Sequence, residues 1–340
     1  MRSAPLPATE RGDLSHIAYG FIASKALFAA LEIDLFSLLA DGPRNVTTLS
    51  ATTRIPPNRL RTLLHALTAL GLLVTDGPCY RNAPASQLYL VRGAPGDFGE
   101  YFRLQVARQI YPALVHLDVG LAGTGVAFDT LGGLMSEPAE ARTFTAAQHA
   151  GSLAAARVLA RRVPLGAAER LLDVGGGSGA FSIALCEANP GLRAIVLDFP
   201  AVVDVARDYR DASGLTARIE LRAGDAVHGT WPGGQDVVVM SYLLSALGEC
   251  EIDTVLWKAH ACLAPGGLLL VHDFMLDDVG PGPALAALWF LQYLAYRSDG
   301  VSFSAAGLSD RLRGAGFAPA PAEVLIPEIT KVVLARKVSR

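Results

Sequence analysis

The chain has 340 residues, of which 51% are apolar and 18% charged, with a net charge of −3. That length suffices for a large core and two domains, and the slight acidity argues against a nucleic-acid or membrane-surface partner. Four cysteines (Cys79, Cys186, Cys250 and Cys262) show no Cys-x-x-Cys spacing, so neither a zinc site nor a disulfide framework is expected, and the absence of an apolar signal core in residues 1–11 points to the cytoplasm.

Residues 17–39 carry Ile17, Phe21, Leu27, Leu31, Leu35 and Leu38 at helical spacing. Pro56-Pro57-Asn58 opens a second predicted helix over 59–70, with Leu60, Leu63, Leu64 and Leu67 on one face and Gly71 at its end. Residues 72–80, with Asp76-Gly77 at the turn, read as a β-hairpin. Helices followed by such a hairpin make a winged helix. DNA binding is its familiar use, but Arg54, Arg59 and Arg61 stand without a basic stripe in an acidic chain. The apolar first helix suits a second copy of the chain better than solvent. Dimerisation is therefore the expectation.

From 97 to 160 the pattern is helical and aromatic. Tyr101, Phe102, Arg103, Arg108, Tyr111 and His116 come first, and Phe128, Phe144, Gln148 and His149 follow. Core packing is the simplest reading of the aromatics. Arg103 and Arg108 fit a core less well, because an unpaired buried guanidinium is costly.

Beyond 160, strands are expected at 171–174, 194–198, 219–223, 235–241, 267–272 and 330–336, with helices between. This is a doubly wound α/β sheet that places ligands at its C-terminal strand ends. The first strand contains Asp173 and runs into Gly175-Gly176-Gly177-Ser178-Gly179. The second ends at Asp198, followed by Phe199. Glycines let backbone approach a ligand closely, and an acid about 20 positions later can accept hydrogen bonds from a ribose. Ala180 stands where a dinucleotide fingerprint requires its last glycine. The turn instead resembles motif I of the class I S-adenosylmethionine (SAM) methyltransferases.

Across nearly the whole chain these features resemble the dimeric small-molecule methyltransferases typified by plant phenolic O-methyltransferases and bacterial natural-product enzymes. The resemblance implies a Rossmann-like SAM domain preceded by an all-α/winged-helix dimerisation domain. Its boundaries would be a dimerisation domain over 1–100, a helical connector lining the acceptor pocket over 101–160, and a catalytic domain over 161–340. It also implies a homodimer in which one subunit's first long helix closes its partner's site. SAM would be the cofactor, held by Asp173, Gly175, Gly177 and Ser241, with Asp198 and Phe199 at the ribose and Asp225 and Ala226 framing the adenine. Phe144 and Gln148 fall where a Phe-x-x-x-Met segment lines the methyl-transfer site in that family. Tyr293 and Arg297 match the helix that lines the acceptor pocket.

One departure bears on the chemistry. Where the O-methyltransferases carry Leu-His-Asp-Trp, this chain has Ser241-Tyr242-Leu243-Leu244-Ser245-Ala246-Leu247, so Ser245 replaces the family's histidine base. A second family acid aligns with Ser302, while Asp273 remains where an orienting acid sits. Loss of a general base costs on the order of 10²–10⁴ in rate for a hydroxyl acceptor. A thioether sulfur has no proton to lose. Residues 18–36 (AYGFIASKALFAALEIDLF), 101–111 (YFRLQVARQIY) and 272–278 (HDFMLDD) resemble the bacterial methylthiohydroxybutyrate S-methyltransferases of dimethylsulfoniopropionate (DMSP) synthesis.

That resemblance implies a small anionic thioether substrate and a sulfonium product. Arg103, Arg108 or Arg297 would anchor its carboxylate, and Gln148, His149 or Tyr293 would bond its hydroxyl. Aromatic faces at Tyr101, Tyr111, Tyr242, Trp289, Phe290, Tyr293 and Tyr296 would suit the cationic sulfur. Three alternatives stay open. They are a C-methyltransferase on an aromatic or natural-product acceptor, an O-methyltransferase with His149 or His272 as a displaced base, and a SAM-binding regulator whose winged helix binds DNA. No metal is expected, with His260 and His272 read as helix-surface and strand-end residues.

Overall fold

The computed structural model describes residues 7–122, 135, 137–280, 282–295, 297 and 299–338. It divides into two compact units, Leu6–Gln109 and Ile110–Arg340. The division between them falls within the segment read as a connector, 101–160. Its first nine residues belong to the N-terminal unit and the rest to the C-terminal one.

In the N-terminal unit the first helix spans Arg11–Glu32. Asp34 then takes a left-handed conformation (φ 56°), and a separate short helix follows at Leu35–Leu38. The apolar periodicity runs straight through this break, which is why one helix was expected. Helices Val46–Thr53 and Pro57–Ala69 come next, the latter with proline in its first turn. Strands β1 (Arg44–Asn45), β2 (Leu73–Asp76) and β3 (Cys79–Asn82) form a small sheet in the order β1-β3-β2, with the hairpin turning at Gly77 (φ 55°). Leu35, Phe36, Leu49, Leu60, Leu64 and Leu67 form its core. Leu14, Ile17, Tyr19, Phe21 and Ile22 of the first helix are instead exposed. This 22-residue helix is long and apolar enough to cross a membrane by length and composition.

The C-terminal unit is built on an eight-stranded sheet. Its strands are β4 (Arg170–Val174), β5 (Arg193–Asp198), β6 (Ile219–Ala223), β7 (Gln235–Ser241), β8 (Leu263–Asp273), β9 (Phe317–Pro319), β10 (Glu323–Ile326) and β11 (Thr330–Lys337). The order is β10-β11-β8-β7-β4-β5-β6, with β9 pairing to β11. From β6 to β8 all neighbours are parallel, whereas β11 is antiparallel to β8, β9 and β10. The sheet is thus mixed rather than uniformly parallel, because only a hairpin can join β10 to β11 across so short a turn.

Leu172, Val174, Val238 and Met240 pack on one face of the sheet, and Leu171, Val196, Val237 and Val239 on the other. Burial on both faces explains why β4 and β7 read as unbroken apolar runs. Strand order reverses at β4, between β5 on one side and β7 on the other. Such a switch point opens a crevice beyond the C-terminal strand ends. The glycine turn lies there.

Candidate cofactor and acceptor site

The turn after β4 depends on bare backbone. Gly175, Gly177 and Gly179 all have positive φ (64°, 56° and 77°), and the Gly175 N–H donates to the Leu197 carbonyl at 2.8 Å. A Cβ on Gly176 would lie 2.8 Å from Asp173 Cγ and 2.9 Å from Val196 Cγ1, whereas one on Gly177 would meet nothing within 4 Å. Asp173 is buried, and its Oδ2 accepts the Ser182 N–H at 3.2 Å and the Ser182 hydroxyl at 2.8 Å. Burial pushes its carboxyl up to about 6. This residue holds the start of helix Ala180–Ala188 against the strand.

Asp198 is the acid that meets the turn. Its Oδ2 accepts the Gly177 N–H at 2.8 Å and its Oδ1 accepts the Phe199 N–H at 2.7 Å. Burial pushes the carboxyl up to about 6 against the opposing pull of those two amides. Each oxygen keeps a further lone pair, so two ribose hydroxyls can still be accepted. Phe199 and Phe144 pack around a small cluster of Met135, Ala141 and Val202. One helix, Pro138–Arg162, supplies Phe144, a half-buried Gln148 and His149. His149 Nδ1 is hydrogen-bonded to Ser178 Oγ at 2.8 Å, and its ring stacks on Tyr209 at 3.9 Å. Burial, aided by Arg157, pulls His149 down to about 4.

Asp225 closes its own turn, with Oδ1 accepting the N–H groups of Val227 (2.7 Å) and His228 (3.1 Å). The Ala226 carbonyl accepts Trp231 Nε1–H at 3.0 Å and Lys258 Nζ at 3.1 Å. Lys258 also reaches the carbonyls of Val227 (2.6 Å) and Gly229 (2.5 Å), which ties this loop to helix Glu249–Cys262. Trp231 and Lys258 did not stand out in the sequence. A lone lysine in that helix was the only available sign. A bare glycine turn with open space at Gly177 and a carboxylate holding its amide suit SAM.

The ends of β7 and β8 carry the other half of the site. Ser241 Oγ and His272 Nδ1 are 2.8 Å apart, and His272 Nε2 lies 2.8 Å from Thr330 Oγ1. Burial pulls this imidazole down to about 3, so it is neutral at physiological pH. His272 is thus a strand-end residue that is buried and bonded at both ring nitrogens, while His260 lies edge-on to Phe317 at 5.3 Å. Tyr242 has a left-handed backbone (φ 57°), with its ring 4.6 Å from His272 and 5.4 Å from Phe274. Phe274 stacks on Trp289 at 4.2 Å and 14°.

Ser245 donates its backbone N–H to Asp273 Oδ2 at 3.0 Å, and its hydroxyl donates to Tyr293 OH at 3.4 Å. Phe274 N–H occupies Asp273 Oδ1 at 2.8 Å, and burial pushes this carboxyl up to about 6. Asp273 here holds the Ser245 side chain and nearby backbone instead of an imidazole.

The arginines expected to anchor a carboxylate are already engaged. Arg297 reaches Glu251 at 2.7 Å and both oxygens of Asp299, at 2.9 and 3.0 Å. In the N-terminal unit, Arg103 pairs with Glu100 at 2.5 Å and Arg108 with Glu32 at 2.8 Å. Tyr101 packs on Phe98, with ring centroids 4.7 Å apart. Phe128 and Tyr296 lie outside the described residues.

Comparison with known proteins places this geometry. Residues 122–318 match the O-methyltransferase domain, and residues 15–92 match the O-methyltransferase dimerisation domain. The chain is similar to the 3-hydroxy-5-methyl-1-naphthoate 3-O-methyltransferase of Streptomyces sahachiroi, with 33% identity over 306 residues, or 89% of this chain and 88% of that one. It is 32% identical to an N,N-dimethyltransferase of Streptomyces rimosus over 335 residues, 95% of each. Its fold resembles human N-acetylserotonin methyltransferase in complex with SAM, at a TM-score of 0.85 and 25% identity over 98% of this chain and 100% of that one. The chain therefore belongs to the SAM-dependent O-methyltransferase family, with SAM as its cofactor and an N-terminal dimerisation domain that supports a homodimer.

Proposed function

We propose that this enzyme methylates an aromatic natural-product acceptor, held by ring faces and without a histidine base. The observation that carries the reading is the aromatic run Tyr242–Phe274–Trp289 beside Ser245. A flat aromatic acceptor can add to such offset and edge-on ring contacts. The relatives named above act on a naphthoate and on N-acetylserotonin, and another is an N,N-dimethyltransferase.

A small anionic thioether would need a guanidinium to itself. Arg103, Arg108 and Arg297 each have carboxylate partners within the chain, and none of the relatives above is named for a thioether acceptor. The sulfonium-forming reading, attractive because Ser245 removes the base, loses its anchor. Its core point survives. With Ser245 at the family's histidine position, and with burial pulling His272 to about 3 and His149 to about 4 so that each imidazole is a weak base, the acceptor atom has to be nucleophilic with little help from histidine.

An acidified phenol, a neutral amine or an electron-rich ring carbon meets that requirement. When bound, SAM supplies the methyl group as a sulfonium; the acceptor's proton, where it has one, leaves to solvent. Asp198 and the glycine turn hold the nucleoside end. The aromatic run sets the acceptor's angle, and positioning within about 3–3.5 Å supplies most of the acceleration.

Purified protein, methyl-labelled SAM, and a set of hydroxynaphthoates, aminoquinones and phenols test this, with label position read by NMR. Label on the ring, on its nitrogen or on its oxygen supports the reading. An absence of label on every aromatic acceptor, with SAM still bound, removes it.

A further inference from the structure

The aromatic run ends on an unmatched donor. Trp289 is half-buried against Phe274, yet its Nε1 is fully buried and has no hydrogen-bond partner among the described residues. A buried indole N–H normally finds an acceptor. Trp231 shows the usual outcome in the same unit, donating to the Ala226 carbonyl at 3.0 Å.

The placement of Trp289 ties this orphan to the acceptor side. Trp289 and Tyr293 stand four residues apart, running from helix Ala284–Leu291 into the helical turn Gln292–Ala295, so both side chains lie on one face. Tyr293 OH accepts the Ser245 hydroxyl. Phe274, stacked on Trp289, also contacts Tyr242. The unpaired N–H therefore belongs to a ring cluster with Phe274 and Tyr242, one helical turn from the tyrosine that meets the residue replacing the family's base. Ring faces can cover Phe274 and Tyr242, but they leave an N–H unsatisfied. An oxygen carried by the acceptor can satisfy it.

We propose that Trp289 determines acceptor specificity by donating its Nε1–H to a ring carbonyl oxygen, so that keto-bearing polycyclic aromatics are preferred to plain phenols. This deepens, and rests on, the aromatic-acceptor reading above. A site built around a polar partner discriminates strongly against analogues that lack it, because its own group is then left unpaired.

Calorimetric titration of the full chain, saturated with S-adenosylhomocysteine, tests the assignment with two probes. These are 1-hydroxyanthraquinone and 1-hydroxyanthracene, which share a tricyclic outline and differ in the ring carbonyls. Wild type is expected to bind the quinone about tenfold tighter, and Trp289→Phe to lose roughly that factor on the quinone alone. Unchanged binding of S-adenosylhomocysteine by the variant shows that its fold is intact. Wild type without a preference for the quinone overturns the proposal whatever the variant does. So does a Trp289→Phe variant that retains the preference, and in both cases the aromatic-acceptor reading stands. Wild type that binds neither probe overturns the proposal, and the labelling test above decides the aromatic-acceptor reading.

Discussion

The Ser245 backbone N–H donates to Asp273 Oδ2 at 3.0 Å, so the acid that would orient an imidazole in this family orients a peptide instead. Two consequences can be separated by mutation. Ser245→Ala removes a hydroxyl that meets Tyr293 OH at 3.4 Å and also hydrogen-bonds the Asp273 carboxyl, and kcat is expected to stay within about threefold, well short of the 10²–10⁴ carried by a true base. Asp273→Asn turns an acceptor that serves two backbone donors into a group with donors of its own. A loss of about 1–3 kcal/mol of stability is expected in denaturant unfolding. A large fall in kcat for Ser245→Ala, with stability unchanged, would make that hydroxyl catalytic.

The glycine turn separates fold from cofactor. Gly176→Ala would drive a Cβ into Asp173 and Val196, so a marked drop in melting temperature is expected. Gly177→Ala meets no atom and bears only the cost of φ 56° for an alanine, about 1–2 kcal/mol. Its Cβ projects into the open space before the turn. Calorimetry should therefore show SAM affinity falling much further for Gly177→Ala than its stability loss suggests. If SAM binds Gly177→Ala as it binds wild type, the turn does not face the cofactor.

Asp198 gives the cofactor site a pH dependence with a definite sign. The burial of its carboxyl raises it to about 6, above the range of an unfolded aspartate. The ionised form therefore opposes folding as pH rises from about 4 through about 6. The same ionised form accepts ribose hydroxyls, so cofactor affinity should be complete above about 7 and fall as pH drops through 6. At pH 5 about one protein in ten is ionised, and the dissociation constant for SAM should be roughly tenfold higher than at pH 8. Asp198→Asn should bind SAM weakly at both pH values, with the slope gone. A slope that persists in Asp198→Asn would assign it to another group, Asp173 being the neighbour with a similarly raised value.

The first helix offers Ile17 and Phe21, four residues apart and both exposed, in the segment that matches the dimerisation domain. Replacing both by glutamate should raise the dimer dissociation constant by about 100-fold or more, since two large apolar side chains lose their burial. Sedimentation of the variant at micromolar concentration checks this. A dimer as tight as wild type would move the interface elsewhere.

Much of this was legible in the sequence because it depends on period and punctuation. All six expected strands are present, since β-branched and leucine-rich runs ended by glycine or aspartate report strands that are buried on both faces. The antiparallel β9–β11 edge was not legible, because strand direction leaves no trace in a short apolar run. The glycine turn and Asp198 could be read as a pair, since their chemistry requires their spacing. The three arginines could not be placed. Whether Arg297 is free or bound depends on Glu251, 46 positions away, and on Asp299, two away, and one-dimensional spacing cannot reveal a pairing made by the fold. His272 does lie at the end of β8, as its sequence position indicates, but its two partners, Ser241 and Thr330, come from two other strands and left no trace in the spacing.

The most direct test is a competition assay. Purified protein would be given SAM with equimolar 4-methylthio-2-hydroxybutyrate and 3-hydroxy-1-naphthoate, and the products followed by mass spectrometry. Methyl transfer to the naphthoate, with no sulfonium formed, is the expected result. A sulfonium product from the thioether acid, with the naphthoate untouched, would contradict the aromatic-acceptor reading and reinstate the anionic thioether substrate.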